Sequence, residues 1–170
     1  MKEIIVTNRQ LCSGDFMLQI EKALQSKPWG LLLREKDLSR SEYAALAAQV
    51  APLCRAQGVQ LITYLPHMGD FVHMPFAQAK PTAQPFSVSI HSVEEAVQAQ
   101  SLGATFIIAG HIFATQSKPA LPPRGLNFLH TVCKNVTIPV FAIGGITREN
   151  AHDCVAAGAA GICRMSHWFN

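Results

Sequence analysis

Along the chain, short apolar runs rich in β-branched residues alternate with longer stretches in which apolar positions recur every three or four residues. The runs are EIIVTN, GLLLRE, VQLITY, DFVHM, FSVSIH, TFIIAG, PVFAIG and AAGICRM. Each has the length and composition of a strand. Between several of them lie helix signals. Ser39 with Glu42 spells a capping box, after which Tyr43, Leu46, Ala47, Val50, Leu53 and Cys54 fall on one helical face before Gly58. Ser92 with Glu95 repeats the device and ends at Gly103, and Thr147 opens a third segment that carries Ala151, Cys154 and Val155 and closes at Gly158.

Strands alternating with helices predict a parallel sheet, and eight strands in series predict a (β/α)8 barrel, a single TIM-barrel domain over residues 1–170. The chain is shorter than the roughly 200 residues at which such barrels usually begin, so parts are missing. Six residues separate Tyr64 from Phe71, and six extended residues reach at most about 20 Å, enough for a return along a strand without a helix. PFAQAKPTAQP, with Pro75, Pro81 and Pro85, leaves no room for a full fourth helix. MSHWFN follows strand eight directly. The expected fold is therefore a shortened α/β barrel with helices three and eight missing and helix four reduced. An open doubly wound sheet is the alternative, but no glycine-rich loop follows strand one.

Composition narrows the function. Hydrophobic residues make up 49% of the 170, enough for one well-buried core. The net charge of +3 comes from Lys and Arg scattered singly among acids, so no nucleic-acid partner is expected. Cys12, Cys54, Cys133, Cys154 and Cys163 are odd in number and form no C-x-x-C pair, a pattern of free thiols in a reducing compartment. MKEIIVTNRQ reads straight into a strand and no long apolar run follows; neither a signal peptide nor a membrane partner is expected, and the expected location is the cytoplasm.

In a barrel the C-terminal ends of the strands form the active face. Those ends supply Arg34 and Lys36 after strand two, Ser89 and His91 after strand five, and His111, Thr115 and Lys118 after strand six. Strand seven ends in Gly144 and Gly145, and strand eight in Met165 and Ser166. Arg34 and Lys36 are two apart, hence on one side of the strand with Leu32. Cations and hydroxyls gathered there suit an anionic ligand. AIGGIT followed by GICRMS matches the way barrels hold phosphate in the loops after strands seven and eight, on backbone N–H groups. Blander readings accompany each feature: paired glycines also make a tight turn, and Arg34, Lys36 and Lys118 also suit solvated positions. His67, His130, His152 and His167 read as surface or interface residues. His67 and His73 flank Asp70 with no recognised ligand spacing. His111 differs, because it stands where a barrel places its catalytic groups and its imidazole exchanges protons near neutral pH.

Taken together, LREKDLS, VSIHSVEEAVQAQSLGATFIIAGHIFATQSK, RGLNFL, IPVFAIGGIT and GAAGICRMS resemble, in order, the thiamine phosphate synthase and thiazole tautomerase (TenI) superfamily. The resemblance implies a TIM barrel that binds a thiazole carrying a phosphoethyl chain, with phosphate on Gly144, Gly145, Met165 and Ser166. Two branches differ at readable places. Synthases have G-P-I-F after strand six where the tautomerase has G-H-[VI]-F, and this chain has Gly110-His111-Ile112-Phe113. Synthases also hold magnesium and pyrophosphate with an Asn-Asp pair after strand three and an acid after strand four. Here those places read ITYLPHMGD and VHMPFAQ, whose one acid, Asp70, falls at the start of strand four. The tautomerase branch is therefore the expectation. It implies isomerisation of carboxythiazolylidene-ethyl phosphate to the aromatic carboxythiazole-ethyl phosphate, with His111 as acid/base, Arg34, Lys36, Ser89, Thr115 and Lys118 as substrate contacts, and no metal or cofactor. A synthase, or a non-catalytic thiazole or thiamin phosphate-binding paralogue, is the alternative.

The missing helices carry one further expectation. Strand three, without its helix, leaves apolar positions near water on either face, and strand eight ends in Trp168 and Phe169. A homodimer through the strand three and four side is expected, with HWFN as a cap beside strands eight and one.

Overall fold

The structure is a computed structural model that describes residues 1–169, without the side chain of Ser166. Eight strands follow chain order in a closed barrel. They are β1 (Lys2–Val6), β2 (Gly30–Leu32), β3 (Gln60–Thr63), β4 (Phe71–Pro75), β5 (Phe86–Ile90), β6 (Phe106–Gly110), β7 (Val140–Ile143) and β8 (Gly161–Arg164). Each coincides with one of the apolar runs, and the paired strands run parallel, as in Ser87 opposite Phe106 and Ile107 opposite Val140. No helix among the described residues is long and apolar enough to cross a membrane. The chain divides into two compact units, Met1–Lys2 with His73–Cys163, and Glu3–Val72 with Arg164–Asn170.

In the unit that holds His73–Cys163, β6 is buried along its whole length, as a run of Phe, Ile, Ile and Ala with no polar side chain allows. Phe106 meets Phe141 of β7 edge to face at 5.4 Å. Helix α3 (Val93–Ser101) starts where the sequence expects, with the Ser92 hydroxyl accepting the Glu95 N–H, and buries Ala96 and Ala99. The Glu95 carboxylate reaches one residue past the usual capping partner and accepts the His91 N–H at 2.5 Å. Helix α4 (Gly125–Asn135) buries Leu129 and Val132. Thr147 does not open a helix. It exchanges hydrogen bonds with Asn150 in a turn, and α5 (Ala151–Ala156) begins after it.

In the unit that holds Glu3–Val72, α1 (Phe16–Leu24) is capped by Asp15, and α2 (Arg40–Gln57) by the complete Ser39/Glu42 box. The stripe expected on α2 is the one observed: Tyr43, Ala47, Val50 and Cys54 are buried, with Leu46 and Leu53 half-buried against the same core as Ile5, Leu31, Leu33 and Leu61. Gly58 ends the helix at φ +67°, a left-handed conformation that a side chain resists.

The shortened connections are present as expected, and they bear on the apolar positions. The return from β3 to β4 is pinned by Asp70, whose N–H donates to the Leu61 carbonyl at 2.7 Å while its carboxylate accepts the Leu61 N–H at 2.8 Å. Tyr64, Leu65 and Met68 of this return pack on the core, and Leu61, Ile62 and Val72 are at most 4% exposed. The bare apolar face expected on β3 is thus covered from within the chain. Helix four is reduced to a 3₁₀ turn, Phe76–Gln78. Helix eight, expected to be missing, is present as a single four-residue turn, α6 (Ser166–Phe169). Phe169 is buried 5.7 Å from Phe16, the Trp168 carbonyl accepts from Gln19 Nε2 at 2.6 Å, and the Trp168 indole donates to Glu3 of β1 at 2.9 Å.

Candidate active site

His111 follows the last residue of β6 and is 6% exposed. Its Nε2 lies 3.2 Å from the Leu121 carbonyl. A carbonyl oxygen only accepts, so Nε2 carries the proton and Nδ1 of the neutral ring keeps its lone pair. The main chain around it is equally fixed. The Arg124 N–H donates to the His111 carbonyl and the Gly125 N–H to the Ile112 carbonyl, both at 3.0 Å. The Gly110 carbonyl, one residue before His111, accepts from Arg124 Nε at 3.1 Å and from His91 Nδ1 at 2.8 Å. The same rule places a proton on His91 Nδ1. Arg124 also stacks on Phe128, with its guanidinium carbon 5.5 Å from the ring centre.

The glycine pair after β7 supports this segment. Gly144 has φ +101° and Gly145 φ +64°, and a Cβ on either would run into the chain at His111 or at Phe113 and Ala114. The Gly144 carbonyl accepts the Phe113 N–H at 3.0 Å, and the Gly145 carbonyl accepts from the Asn150 amide at 3.0 Å. A packing reason for both glycines is therefore visible, independent of any phosphate.

Thr115 and Lys118 come together on an open groove of about 290 Å³, with Leu121 in its wall. His111 is thus tied to the residue that edges the groove. Ser89 is placed differently, inside the strands, in a polar cluster that sequence reasoning does not assemble. His73 of β4 bridges Ser87 through Nδ1 at 2.8 Å and Ser89 through Nε2 at 2.7 Å, and Ser87 is fully buried. The alternation FVHMP is the one signal that pairs His73 with inward positions, and a five-residue strand does not say which face is inward.

In the other unit, exposure alternates past the end of β2: Arg34 and Lys36 are exposed, while Leu33 and Glu35 are buried. Glu35, 1% exposed, is satisfied by the Thr7 hydroxyl at 2.6 Å and the Arg9 N–H at 3.0 Å. The Thr7 oxygen also accepts the Arg34 N–H at 2.9 Å. Asp37 pairs with Arg9 at 2.5 Å. Met165 is half-buried in the bend after β8. Ser166 begins α6, and its side chain lies outside the described residues.

The residues present do not fit a magnesium and pyrophosphate site of the synthase kind. The segments after β3 and β4 carry no carboxylate besides Asp70, and Asp70 is engaged by the Leu61 backbone. Among the described residues no three His, Cys, Asp or Glu side chains are grouped to share a metal ion.

The family model for thiamine monophosphate synthase matches residues 3–63 and 67–167. Thiamine-phosphate synthase of Roseiflexus castenholzii is 35% identical over an alignment that covers 95% of this chain and 78% of the relative. That of Chloroflexus aurantiacus is 36% identical, covering 95% and 82%. Among solved structures, thiamine phosphate pyrophosphorylase from Pyrococcus furiosus superposes with a TM-score of 0.85 at 25% identity, over 97% of this chain and 85% of that one. With a barrel of eight parallel strands and a match over nearly its whole length, the chain belongs to the thiamine monophosphate synthase family.

Proposed function

We propose that the chain is a thiazole tautomerase-like isomerase within this family, acting on a thiazole phosphate. The observation that carries this reading is the fixed His111, whose Nε2 lies on the Leu121 carbonyl; Nδ1 is assigned the role of base. Neutral Nδ1 takes the proton from the ring carbon that bears the carboxylate. The released electron pair moves into the ring, the exocyclic double bond shifts inward, and the imidazolium returns a proton to the exocyclic carbon. One C–H bond breaks and another forms, so the reaction consumes nothing. An acid/base group of this kind contributes roughly 10²–10⁴-fold. Lys118 and Thr115, on the groove edged by Leu121, are assigned to the ligand's anionic groups, and the Gly144–Gly145 loop to its phosphate. Ser89 is assigned a ligand contact through its hydroxyl. In the unit of Glu3–Val72, Arg34 and Lys36 are the cations assigned to an anion, and Met165 with Ser166 is assigned to phosphate.

A second reading, thiamine-phosphate synthase, is favoured by the names of the relatives. Two assays on the purified chain separate the readings. With carboxythiazolylidene-ethyl phosphate, the isomerase produces the ultraviolet absorbance of the aromatic product. With aminopyrimidine pyrophosphate, thiazole phosphate and Mg²⁺ it produces no thiamin phosphate. Magnesium-dependent thiamin phosphate formation instead replaces the isomerase reading with the synthase. Binding of thiazole phosphate without turnover in either assay identifies a non-catalytic paralogue.

A further inference from the structure

We infer that Arg124 and His91 are positioning residues for His111, acting through the Gly110 carbonyl; the inference rests on His111 being the acid/base. That carbonyl belongs to the peptide unit that ends in the His111 nitrogen, and a peptide unit is planar. Fixing its oxygen fixes the direction in which His111 leaves the strand. Two donors do so, Arg124 Nε at 3.1 Å and His91 Nδ1 at 2.8 Å.

Arg124 acts at more than one point. Its own N–H holds the His111 carbonyl at 3.0 Å. Three residues earlier in the same short segment, the Leu121 carbonyl holds the imidazole. The segment 121–124 therefore touches His111 at the ring, at its carbonyl and at the preceding carbonyl. Pro122 and Pro123 fill the interval and limit how far these contacts move independently. Phe128, one helical turn on, seats the guanidinium. Without the guanidinium the segment keeps the backbone bonds of Arg124 and Gly125 to the His111 and Ile112 carbonyls but loses its hold on the Gly110 carbonyl, so the Leu121 carbonyl is less firmly placed and selects the imidazole tautomer less strictly.

Two measurements on Arg124→Ala and His91→Ala test this. Ring ¹⁵N NMR of His111 reads the tautomer without any turnover. The wild type is expected to show the Nε2–H form, and Arg124→Ala a mixture of both forms. In the isomerase assay, kcat is expected to fall at least roughly tenfold with KM within about twofold, since small displacements of a catalytic group cost that much or more. Arg124→Lys, which places an N–H donor near the same carbonyl, restores part of the rate. His91→Ala, which leaves the 121–124 segment in place, lowers kcat less and is the informative variant if Arg124→Ala does not fold. Unchanged His111 signals and unchanged kcat in both alanine variants overturn the inference, as does a loss carried by KM that Arg124→Lys does not restore. A wild type without isomerase activity whose His111 tautomer still responds to Arg124→Ala keeps the positioning pair and removes only the assigned reaction.

Discussion

Gly144 lies against the Cα and Cβ of His111 so closely that no side chain fits between them. Its φ of +101° adds a conformation that side chains resist. Gly144→Ala is therefore expected to cost stability twice, through backbone strain and through displacement of His111. Gly103 separates the two effects, because its φ is +89° but a Cβ there meets nothing within 4 Å. Gly103→Ala should lose about 1 kcal/mol, and Gly144→Ala about 2–4 kcal/mol, measured by urea unfolding. Equal losses would mean that the contact with His111 yields easily.

Replacing the imidazole itself tests the assigned chemistry. His111→Asn keeps a polar side chain of similar reach but removes the group that accepts and returns the proton. The isomerisation rate is expected to fall roughly 10²–10⁴-fold, while the affinity for the aromatic product stays within a few-fold. Unchanged turnover takes His111 out of the mechanism.

Local signals made much of this architecture readable. The Ser39/Glu42 box, the stripe from Tyr43 to Cys54 and the short interval between Tyr64 and Phe71 each depend on residues close in sequence, and each stands in the structure as expected. What escaped depends on partners far apart. Glu35 is buried between two exposed cations because Thr7, 28 residues away, supplies a hydroxyl. Arg124 matters through a carbonyl 14 residues earlier, and His73 through serines 14 and 16 residues later. Strand periodicity carries no signal for such pairings. The homodimer expectation relied on uncovered apolar positions, and Tyr64, Leu65 and Met68 cover the core of β3. Sedimentation at micromolar concentration tests whether a dimer forms by another face.

Alkaline solution should destabilise the fold through its buried thiols. Burial, with a smaller contribution from Asp70, pushes the Cys54 thiol from its usual 9.0 up to about 12. Burial also raises Cys154 to about 11, with Asp153 adding to it. Both folded values lie above the unfolded one, so between them the unfolded chain holds fewer protons. The stabilisation is complete below pH 9 and is lost as pH rises through the folded values. Each thiol removes up to about 1.4 kcal/mol per pH unit in that window. The urea midpoint should be flat from pH 7 to 8.5 and fall by pH 10.5, and Cys54→Ala should make the fall shallower. A midpoint unchanged at pH 10.5 would show that these thiols ionise as readily in the fold as outside it.

The C-terminal turn depends on one carboxylate. Glu3 accepts two parallel hydrogen bonds from Arg164, at 2.8 and 2.9 Å, and a third from the Trp168 indole at 2.9 Å. The Arg164 and Glu3 side chains are only 10% and 19% exposed, so water replaces little of what Glu3→Gln removes. The amide keeps one acceptor, turns an N–H toward a guanidinium, and leaves Arg164 without its counter-charge. The expected cost is about 2–4 kcal/mol, which for a chain of this length lowers Tm by roughly 4–16 °C. Trp168 emission should shift to the red as the turn loosens and the indole meets water. The control is Arg9–Asp37, whose side chains are 40% and 38% exposed. There Asp37→Asn should change stability by less than about 1 kcal/mol, because solvent already screens that pair. If both substitutions lower Tm equally, the bidentate geometry at Glu3 contributes no more than a surface contact, and α6 is held by Phe169 against Phe16 and by Gln19 on the Trp168 carbonyl.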